Sequence, residues 1–298
     1  GGVGEKSADV ALAKVARMEV GGARLDNQTY AVLALESFGA IEGRPITGIF
    51  GYEVFKRYVV TTNYEKSEIT LAEPDGFKYQ GAGTRVPFTF DDTNPVVEGV
   101  IDGLAGKFSL DTGSRASLDL SSPFVAKNDL MKRWAPKLHG VAGWGVGGPA
   151  RAAFVRAKMF SMGSVNVDAP AVGLREERKG SFSNIYIAGN VGAGVLTNVN
   201  IVWDSPRMQI FLEKNKNYAA PDVFDRAGMW VNLGTDGFEI VDVFAGTPAA
   251  QAGLKAGDKI TAVDGKKAGI EISLPDFRLR LKEAVGTKLK LDLVRGAQ

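Results

Sequence analysis

Short runs in which apolar and polar residues alternate recur along most of the chain. The clearest of them lie at 85–90, 96–101, 107–110 and 116–120. Alternation with a period of two is typical of β-strands with one buried face, whereas a helix repeats its apolar residues every three to four positions. Helical spacing is rare here and is clearest at 129–137. The pattern therefore predicts a mainly β fold.

The chain contains an internal repeat. Residues 46–71 (ITGIFGYEVFKRYVVTTNYEKSEITL) are echoed without a gap by residues 187–212 (IAGNVGAGVLTNVNIVWDSPRMQIFL), at an offset of 141 positions (187 − 46). Both copies end in two alternating apolar runs around a polar turn, at 63–66 and at 204–207, which predicts a β-hairpin in each. The coinciding residues are Ile46/Ile187, Gly48/Gly189, Gly51/Gly192, Val54/Val195, Val60/Ile201, Ile69/Ile210 and Leu71/Leu212.

The repeat extends upstream and divides the chain. Residues 18–25 match residues 160–167 at an offset of 142 (163 − 21), so the two copies belong to two related lobes. The second lobe has an additional front part, residues 82–150, with no counterpart in the first. Turn-forming residues at 73–76 and 215–221 predict linkers. We therefore expect the C-terminal part of a first lobe at 1–72, a second lobe at 82–213 and a C-terminal domain at 222–298.

Composition then excludes several classes of function. The 36 Lys and Arg residues nearly balance the 34 Asp and Glu residues, and the net charge of +2 gives no strong field that favours nucleic acid or an anionic membrane. The chain has no cysteine and one histidine, His139, which excludes disulfides, cysteine nucleophiles and metal sites with thiolates or two imidazoles. A Ser-His-Asp triad would need His139, and no G-x-S-x-G elbow holds a serine. We expect no metal and no cofactor.

The sequence places few limits on localisation. No run of 18 apolar residues occurs, so no transmembrane helix is predicted. The opening Gly1-Gly2-Val3-Gly4 lacks the basic and then apolar pattern of a signal peptide, so an export signal would lie upstream of it or be absent. A chain without thiols is compatible with reducing and with oxidising compartments.

The best candidate for chemistry is the segment 108–114, FSLDTGS, in which an apolar strand ends in a turn. Two carboxyl groups held close together share one proton, so one can accept a proton from water while the other donates to a carbonyl oxygen. Asp111 would be one such carboxyl. Gly113 would permit close backbone approach between two halves, and the hydroxyls of Thr112 and Ser114 would orient the carboxylates. A plain turn is the alternative, because Asp, Gly and Ser all favour turns.

This segment resembles the half-site of the retropepsin-like aspartic proteases, in which Asp-Thr/Ser-Gly-Ala/Ser follows an apolar strand and a hydrophobic-hydrophobic-Gly element comes later. Ile187-Ala188-Gly189 matches that later element in the second lobe, and Ile46-Thr47-Gly48 matches it in the first. The resemblance covers residues 1–213 and implies retropepsin-like, pepsin-type lobes. It implies an aspartic endopeptidase that hydrolyses polypeptide with carboxylate-activated water.

The resemblance is incomplete at the second aspartate. The first-lobe position that corresponds to Asp111 falls at −30 (111 − 141), upstream of Gly1, and residues 1–110 contain no Asp-Thr/Ser-Gly. The chain as given therefore has half of the pair. We expect the other aspartate from a missing N-terminal segment, or from a second copy of the second lobe as in dimeric members of the family; otherwise this form is inactive. The repeat favours the first arrangement, because it implies duplicated halves within one chain.

A glycine-rich stretch, 140–148, lies between the two elements of the half-site. It formally contains G-x-G-x-x-G, but it lacks the following helix and the βαβ setting of a dinucleotide-binding loop. The family resemblance implies a mobile flap over the cleft, with Gly143, Trp144 and Gly145 within it and Trp144 as a candidate substrate contact. A solvent loop without a role is the alternative, and His139 is interpreted as an ordinary loop histidine.

Turn and capping residues give the C-terminal part a distinct pattern. Residues 246–265 (GTPAAQAGLKAGDKITAVDG) predict a short helix that Thr247 caps and Gly253 ends, followed by a strand at 259–263. A further helix is predicted at 273–286. The pattern resembles the bacterial type of PDZ domain over residues 222–296, which implies a small β-barrel with two helices.

A PDZ domain implies peptide binding. Such domains take an extended peptide, often a C-terminus, as an added strand, and backbone amides receive its carboxylate. By resemblance the receiving loop and strand would include Gly228, Met229, Trp230 and Val231, facing the helix around 277–281. A PDZ domain that packs on the lobes as a purely structural part is the alternative.

Two hypotheses of function follow from these motifs. In the first, the chain is an aspartic endopeptidase whose PDZ domain recruits polypeptide substrate. In the second, it is a peptide-binding adaptor without catalysis, and its protease fold is a relic. Family analogy suggests a bacterial protein that is periplasmic or secreted.

Overall fold

The computed structural model describes residues 10–296. Its architecture is mainly β, as predicted, with strands at 96–101 and 107–110 as expected. The run at 85–90 is divided between two short strands of different sheets, Thr84–Pro87 and Thr89–Asp91, and the run at 116–120 is a strand over Leu118–Leu120. The predicted first lobe begins with residues 1–9 and the predicted C-terminal domain ends with residues 297–298, and both segments lie outside the described residues. Within 10–296, no helix has the length and apolar character needed to span a membrane.

The first part of the chain is a hairpin followed by two short helices and a second hairpin. Its elements are β1 (Ala11–Val20), β2 (Ala23–Val32), α1 (Glu36–Glu42), α2 (Tyr52–Phe55), β3 (Val59–Asn63) and β4 (Glu68–Ala72).

The middle part holds most of the strands. Its elements are β5 (Thr84–Pro87), β6 (Thr89–Asp91), β7 (Asn94–Ile101), β8 (Leu104–Leu110), β9 (Leu118–Leu120), α3 (Ser122–Lys127), α4 (Leu130–Trp134), β10 (Leu138–Gly145), β11 (Gly148–Arg156), β12 (Met159–Met162), β13 (Val165–Asp168), β14 (Ala171–Arg175), β15 (Gly189–Val191), α5 (Ala193–Leu196), β16 (Val199–Asp204) and β17 (Gln209–Lys214). Short 3-10 turns lie at Ser181–Ser183 and Ser205–Arg207.

The C-terminal part forms its own sheet with two helices. Its elements are β18 (Met229–Gly234), β19 (Gly237–Val243), α6 (Pro248–Gln251), β20 (Lys259–Val263), β21 (Lys266–Lys267), α7 (Leu274–Arg280) and β22 (Leu291–Val294). The sheet order is β18-β19-β20-β21, with β22 also paired to β20, so β18 is an edge strand.

The internal repeat is visible in the structure. Helices α2 and α5 start 141 positions apart, and each precedes a hairpin, β3–β4 or β16–β17. These hairpins join in one sheet of order β4-β3-β16-β17-β5, where β3 pairs antiparallel with β16. The register places Thr61 opposite Val202, which is its equivalent in the other copy. A local two-fold axis therefore passes between the two lobes at this pair.

A larger sheet of the second lobe positions the candidate chemistry. Its order is β10-β11-β14-β9-β15-β8-β7-β12-β13, with β6 on β7, so β8 lies well inside it. Strand β15 pairs parallel with β8 and antiparallel with β9. It begins at Gly189, the glycine of the hydrophobic-hydrophobic-Gly element, so it lies between the two strands that flank the D-T-G-S motif.

Two separate hydrophobic cores hold the molecule together. One runs through both lobes, from Leu25 and Val60 in the first to Phe108 and Trp203 in the second. The other belongs to the C-terminal part, in which the rings of Phe238 and Phe277 stack with centroids 5.2 Å apart. The first core thus joins the two lobes. The C-terminal part has a core of its own, which is typical of a separate folding unit.

Some local predictions were wrong. The helix expected at 129–137 is shorter, since α4 ends at Trp134 where Ala135 takes a left-handed conformation (φ 43°), and α3 before it was not predicted. Thr247 holds the N-cap position of α6, but its hydroxyl donates to the carbonyl of Phe244 (2.6 Å) and does not cap the helix. The helix expected at 273–286 ends at Arg280. The boundaries 1–72, 82–213 and 222–298 stay predictions.

Candidate functional site

Asp111 lies where β8 ends, half-buried, in a turn. Its backbone N–H donates to the carbonyl of Val191 (2.9 Å), so β15 fixes the start of the turn. The carboxylate Oδ1 accepts from the N–H of Gly113 (2.9 Å), and the carbonyl of Asp111 accepts from the N–H of Ser114 (3.2 Å). Thr112 and Gly113 are exposed and Ser114 is half-buried. The motif therefore presents one carboxylate at the edge of an ordered loop.

Asn190 holds the other oxygen of that carboxylate. Its Nδ2 lies 3.4 Å from Oδ2 of Asp111, and its Oδ1 accepts from the hydroxyl of Ser109 (2.8 Å). Asn190 is nearly buried, at 8% exposure, on the strand between β8 and β9. Asn190 is not among the site residues predicted from the sequence. The signal that could have found it is its position directly after the hydrophobic-hydrophobic-Gly element.

Glycines let α5 pack directly against the loop that follows Asp111. The N–H of Ala193 donates to the carbonyl of Ser114 (2.7 Å). A Cβ on Gly192 would collide with the carbonyl oxygen of Ala116, so that position requires glycine. Around Gly113 the nearest described atom that a Cβ would meet is Oδ1 of Asp111 (3.2 Å). The close approach of a second half at Gly113 is thus not observed among the described residues.

The first lobe offers no matching half-site within residues 10–296. Its element Ile46-Thr47-Gly48 lies outside any strand. Ile49, the equivalent of Asn190, is 73% exposed. Both hydrogen bonds described for the Asp111 carboxylate come from N–H groups, and neither partner is a carboxyl group.

The glycine-rich stretch is an ordered β-hairpin, β10–β11, with its turn at 146–147. Gly143, Trp144 and Gly145 lie on the distal half of β10 and pair with residues 148–150 across a register shift. The hairpin corrects the alternative of an irregular solvent loop, because pairing with β11 continues into β14. His139 lies exposed on β10 and not in a loop. The role of the hairpin as a flap stays a prediction.

A buried ion cluster connects β14 with β9, the two strands next to the hairpin β10–β11 in the sheet. Arg175, at 2% exposure, makes a bidentate pair with Asp119 (Nε–Oδ1 2.9 Å, Nη2–Oδ2 3.0 Å) and lies 3.3 Å from Oε1 of Glu177. Burial raises the pKa of Glu177, whose Oε2 has no hydrogen-bond partner in the part of the chain described. Asp119 is thus committed to Arg175, which makes it a structural carboxylate.

The predicted peptide-binding residues lie on β18 and the turn before it. Gly228 is in the left-handed region (φ +75°), and the side chain of Thr247 fills the space where a Cβ would lie. Met229 and Val231 are buried in the C-terminal core. Trp230 is half-buried, and its Nε1 donates to Oδ1 of Asn232 (2.9 Å). The role of these four residues in peptide binding stays a prediction.

The amides expected to receive a peptide carboxylate already have a partner. Oδ1 of Asp225 accepts from the N–H of Ala227 (2.7 Å), and its Oδ2 accepts from the N–H of Met229 (3.2 Å). Burial raises the pKa of Asp225, while these amides act in the opposite direction. Across from β18, Phe277 points into the core, and Arg278 is the helix residue that reaches the strand, with Nη2 2.8 Å from the carbonyl of Val231.

Among residues 10–296, no group of three or more His, Cys, Asp or Glu residues is arranged to hold a metal ion.

Comparison with known proteins finds two similarities. A family model for the PDZ domain matches residues 239–295, so the C-terminal part contains a PDZ domain. Among solved structures, the chain is similar to a retropepsin-like aspartic protease from Rickettsia conorii, with 11% sequence identity and a TM-score of 0.32; the match covers 45% of this chain and 96% of that one. No curated protein matches. The PDZ match lies within residues 222–296, which resemble a PDZ domain in sequence.

Proposed function

We propose that this chain is an aspartic-type endopeptidase in which Asp111 is one of two carboxyl groups that share a proton. The observation that carries the proposal is the way Asp111 is held at the end of β8. Each of its oxygens has one N–H donor, from Gly113 or from Asn190. A carboxylate oxygen has more than one acceptor site, so both oxygens can still bind water.

The chemistry follows from this arrangement. Two carboxyls at close range keep one proton between them. We assign water activation to Asp111, because both of its carboxylate oxygens accept hydrogen bonds from N–H groups in this arrangement. Asp111 accepts a proton as the water oxygen attacks the peptide carbonyl carbon, and the second carboxyl donates its proton to the carbonyl oxygen. Collapse of the tetrahedral intermediate breaks the C–N bond, and the amine leaves with a proton from the pair.

The pairing of β3 with β16 bears on the source of the second carboxyl. Two copies of the second lobe would need a free strand edge to associate through the hairpin β16–β17. In this chain β3 already pairs along β16, and β5 pairs along β17. The site related to Asp111 by the local two-fold axis therefore lies on the side of the first lobe, which supports a bilobal enzyme over a dimer of second lobes.

A second candidate function is a peptide-binding adaptor without catalysis. The observation that favours it is the absence, within residues 10–296, of a second carboxyl at Asp111. The PDZ domain would then carry the function, since such domains bind extended peptides.

Cleavage of an unfolded polypeptide by the chain together with the upstream segment that completes its first lobe tests the proposal. Asp111→Asn abolishes cleavage and leaves the thermal unfolding transition unchanged, because an amide cannot accept the proton of water. Asp236→Asn, in the exposed turn between β18 and β19, is the matched control and retains activity. Cleavage that survives in a folded Asp111→Asn variant contradicts the proposal. Inactivity of residues 1–298 alone is expected of the bilobal enzyme, since they carry half of the pair. Inactivity at every concentration of the protein with a complete first lobe favours the adaptor.

A further inference from the structure

Helix α1 of the first lobe lies against the PDZ domain, at the place where a peptide would bind. It packs along β18, the edge strand. Ile41 in its last turn is buried, at 3% exposure. Gly43, the residue after α1, lies on the first turn of α7, and a Cβ there would be 2.7 Å from Cβ of Leu274. Residues 41–43 thus lie between β18 and α7, and a PDZ domain receives its peptide between such a strand and helix.

One guanidinium group joins α1 to the groove between β18 and α7, where a PDZ domain receives its peptide. Nη2 of Arg278, on α7, donates to the carbonyl of Ile41 (2.6 Å) and to the carbonyl of Val231 (2.8 Å). A carbonyl on the edge strand is a group that an added strand would need for its ladder. Here Arg278 connects it to α1 instead.

The charges around this contact match an acidic ligand. Nε of Arg115 lies 3.5 Å from Oε1 of Glu42, and the Arg115 guanidinium stacks over the ring of Trp230 at 4.9 Å from its centroid. Burial lowers the pKa of Arg278, the nearby Arg115 lowers it further, and Glu42 raises it. Two arginines therefore lie close to α1, Arg278 bonded to the carbonyl of Ile41 and Arg115 paired with the carboxylate of Glu42.

Asp225 lies in the remaining part of the peptide site, since its carboxylate accepts from the N–H groups of Ala227 and of Met229, the first residue of β18. A ligand that ends in a free carboxylate would have to displace Asp225 from the amides of Ala227 and Met229. A ligand with an acidic side chain in mid-segment still has the two arginines, once Glu42 has moved away.

We propose that residues 36–43 are an internal ligand of the PDZ groove, which is closed in this state and opens to a peptide segment that carries an apolar residue followed by an acidic one. Arg115 follows the D-T-G-S motif directly, so displacement of Glu42 also releases the loop that carries Asp111. This last step rests on the proposed function, whereas the closed groove does not.

Binding of a peptide in trans tests the closed groove in the full chain. The probe is a fluorescent peptide of residues 34–45, ALESFGAIEGRP. Gly43→Val opens the groove, because a side chain at 43 collides with Leu274. Gly76→Val is the matched control, since Gly76 has a similar φ (+76° against +72°) and open space around it. We expect Gly43→Val to bind the probe about ten-fold or more tightly than the wild type or Gly76→Val, because an occupied site lowers apparent affinity.

Hydrogen exchange gives a second measurement that does not depend on the affinity of the probe. In Gly43→Val and in Arg278→Gln, amides of residues 36–43 and of β18 exchange about ten-fold faster than in the wild type, while Gly76→Val leaves them unchanged. A probe with Glu42 replaced by Gln binds more weakly. Unchanged exchange in both folded variants, or equal probe binding by the wild type and Gly43→Val, overturns the closed groove. Neither readout involves hydrolysis, so loss of the proposed peptidase function would leave both intact.

Discussion

Thr61 and Val202 occupy equivalent positions in the two copies of the repeat, and they are direct partners in the pairing of β3 with β16. A residue that faces its own equivalent marks a two-fold axis, and here the axis relates two halves of one chain. The two lobes therefore share a sheet and a core, and neither hairpin retains a free edge along this contact.

Contacts beside the axis should stabilise the joint between the lobes. Nε1 of Trp203 donates to the hydroxyl of Thr62 (3.3 Å), with both side chains buried. Thr62→Val keeps the shape and leaves the indole N–H without a partner, which costs roughly 1–3 kcal/mol of the free energy of unfolding. Thr61→Val is the control, because it makes the same replacement at the preceding residue, which is half-buried. Urea unfolding measures both, and equal losses would show that the hydrogen bond contributes nothing.

The ion cluster at Arg175 gives a pH dependence. Burial raises the pKa of Glu177 above its ordinary value. Its folded form favours the proton, so the stability it contributes is present below the unfolded pKa and is lost as pH rises through the folded pKa. Glu177→Gln removes this loss and becomes more stable relative to the wild type as pH rises through that range.

Thermal unfolding across pH 4 to 8, about the range in which a raised carboxyl titrates, measures the effect. Glu176→Gln, at the exposed neighbouring position, is the control and should follow the wild type. If Arg175 lowers the pKa of Glu177 by more than burial raises it, Glu177→Gln will instead lose stability relative to the wild type as pH rises.

The PDZ domain also contacts the hairpin β10–β11. Oδ2 of Asp242, on β19, accepts from the N–H of Val141 (2.8 Å) and lies 3.0 Å from Nη1 of Arg151. Asp242→Ala leaves the buried Val141 amide without a partner, at a cost of about 1–3 kcal/mol, and its hydrogen exchange accelerates about ten-fold or more. Asp242→Asn retains an oxygen acceptor and should show a smaller change. Equal exchange in the alanine variant and the wild type would contradict this link.

Local elements and the repeat could be predicted from the sequence, whereas contacts between distant residues could not. Alternation identifies β3 and β16, and the offset of 141 identifies them as equivalents. Neither states that equivalent strands pair with one another, because pairing depends on how the lobes meet. The hairpin β10–β11 was missed as strands, since its glycines lower β-propensity while neighbouring strands supply the ladder.

For the candidate site, too, local features could be predicted from the sequence and contacts between distant residues could not. The D-T-G-S motif gave Asp111 because a turn after an apolar strand is a local signal. Gly43 has the local pattern of a helix C-cap, and nothing local reveals that it lies on α7. Asp225 was likewise outside the predicted set, since its link to the amides of Ala227 and Met229 depends on the fold of the loop.

Asn190 should act as a positioning residue for Asp111. Its side chain connects the hydroxyl of Ser109 to Oδ2 of Asp111. Asn190→Ala frees that oxygen to rotate away from the bound water. We expect kcat for polypeptide cleavage to fall about ten- to a hundred-fold while KM changes little, because misplacement of a catalytic group lowers the rate of the chemical step. Ser109→Ala removes only the group that orients Asn190 and should give a smaller decrease in kcat.

Asn166→Ala, at an exposed position on β13, is the control and retains the kcat of the wild type. The split between kcat and KM separates positioning from stability, since a merely structural loss lowers the amount of folded enzyme and changes the melting temperature instead. A fall in melting temperature that accounts for all of the lost activity in Asn190→Ala would assign Asn190 to the fold. An unchanged kcat in the folded variant would show that the 3.4 Å contact with Asp111 does not orient the carboxylate during catalysis.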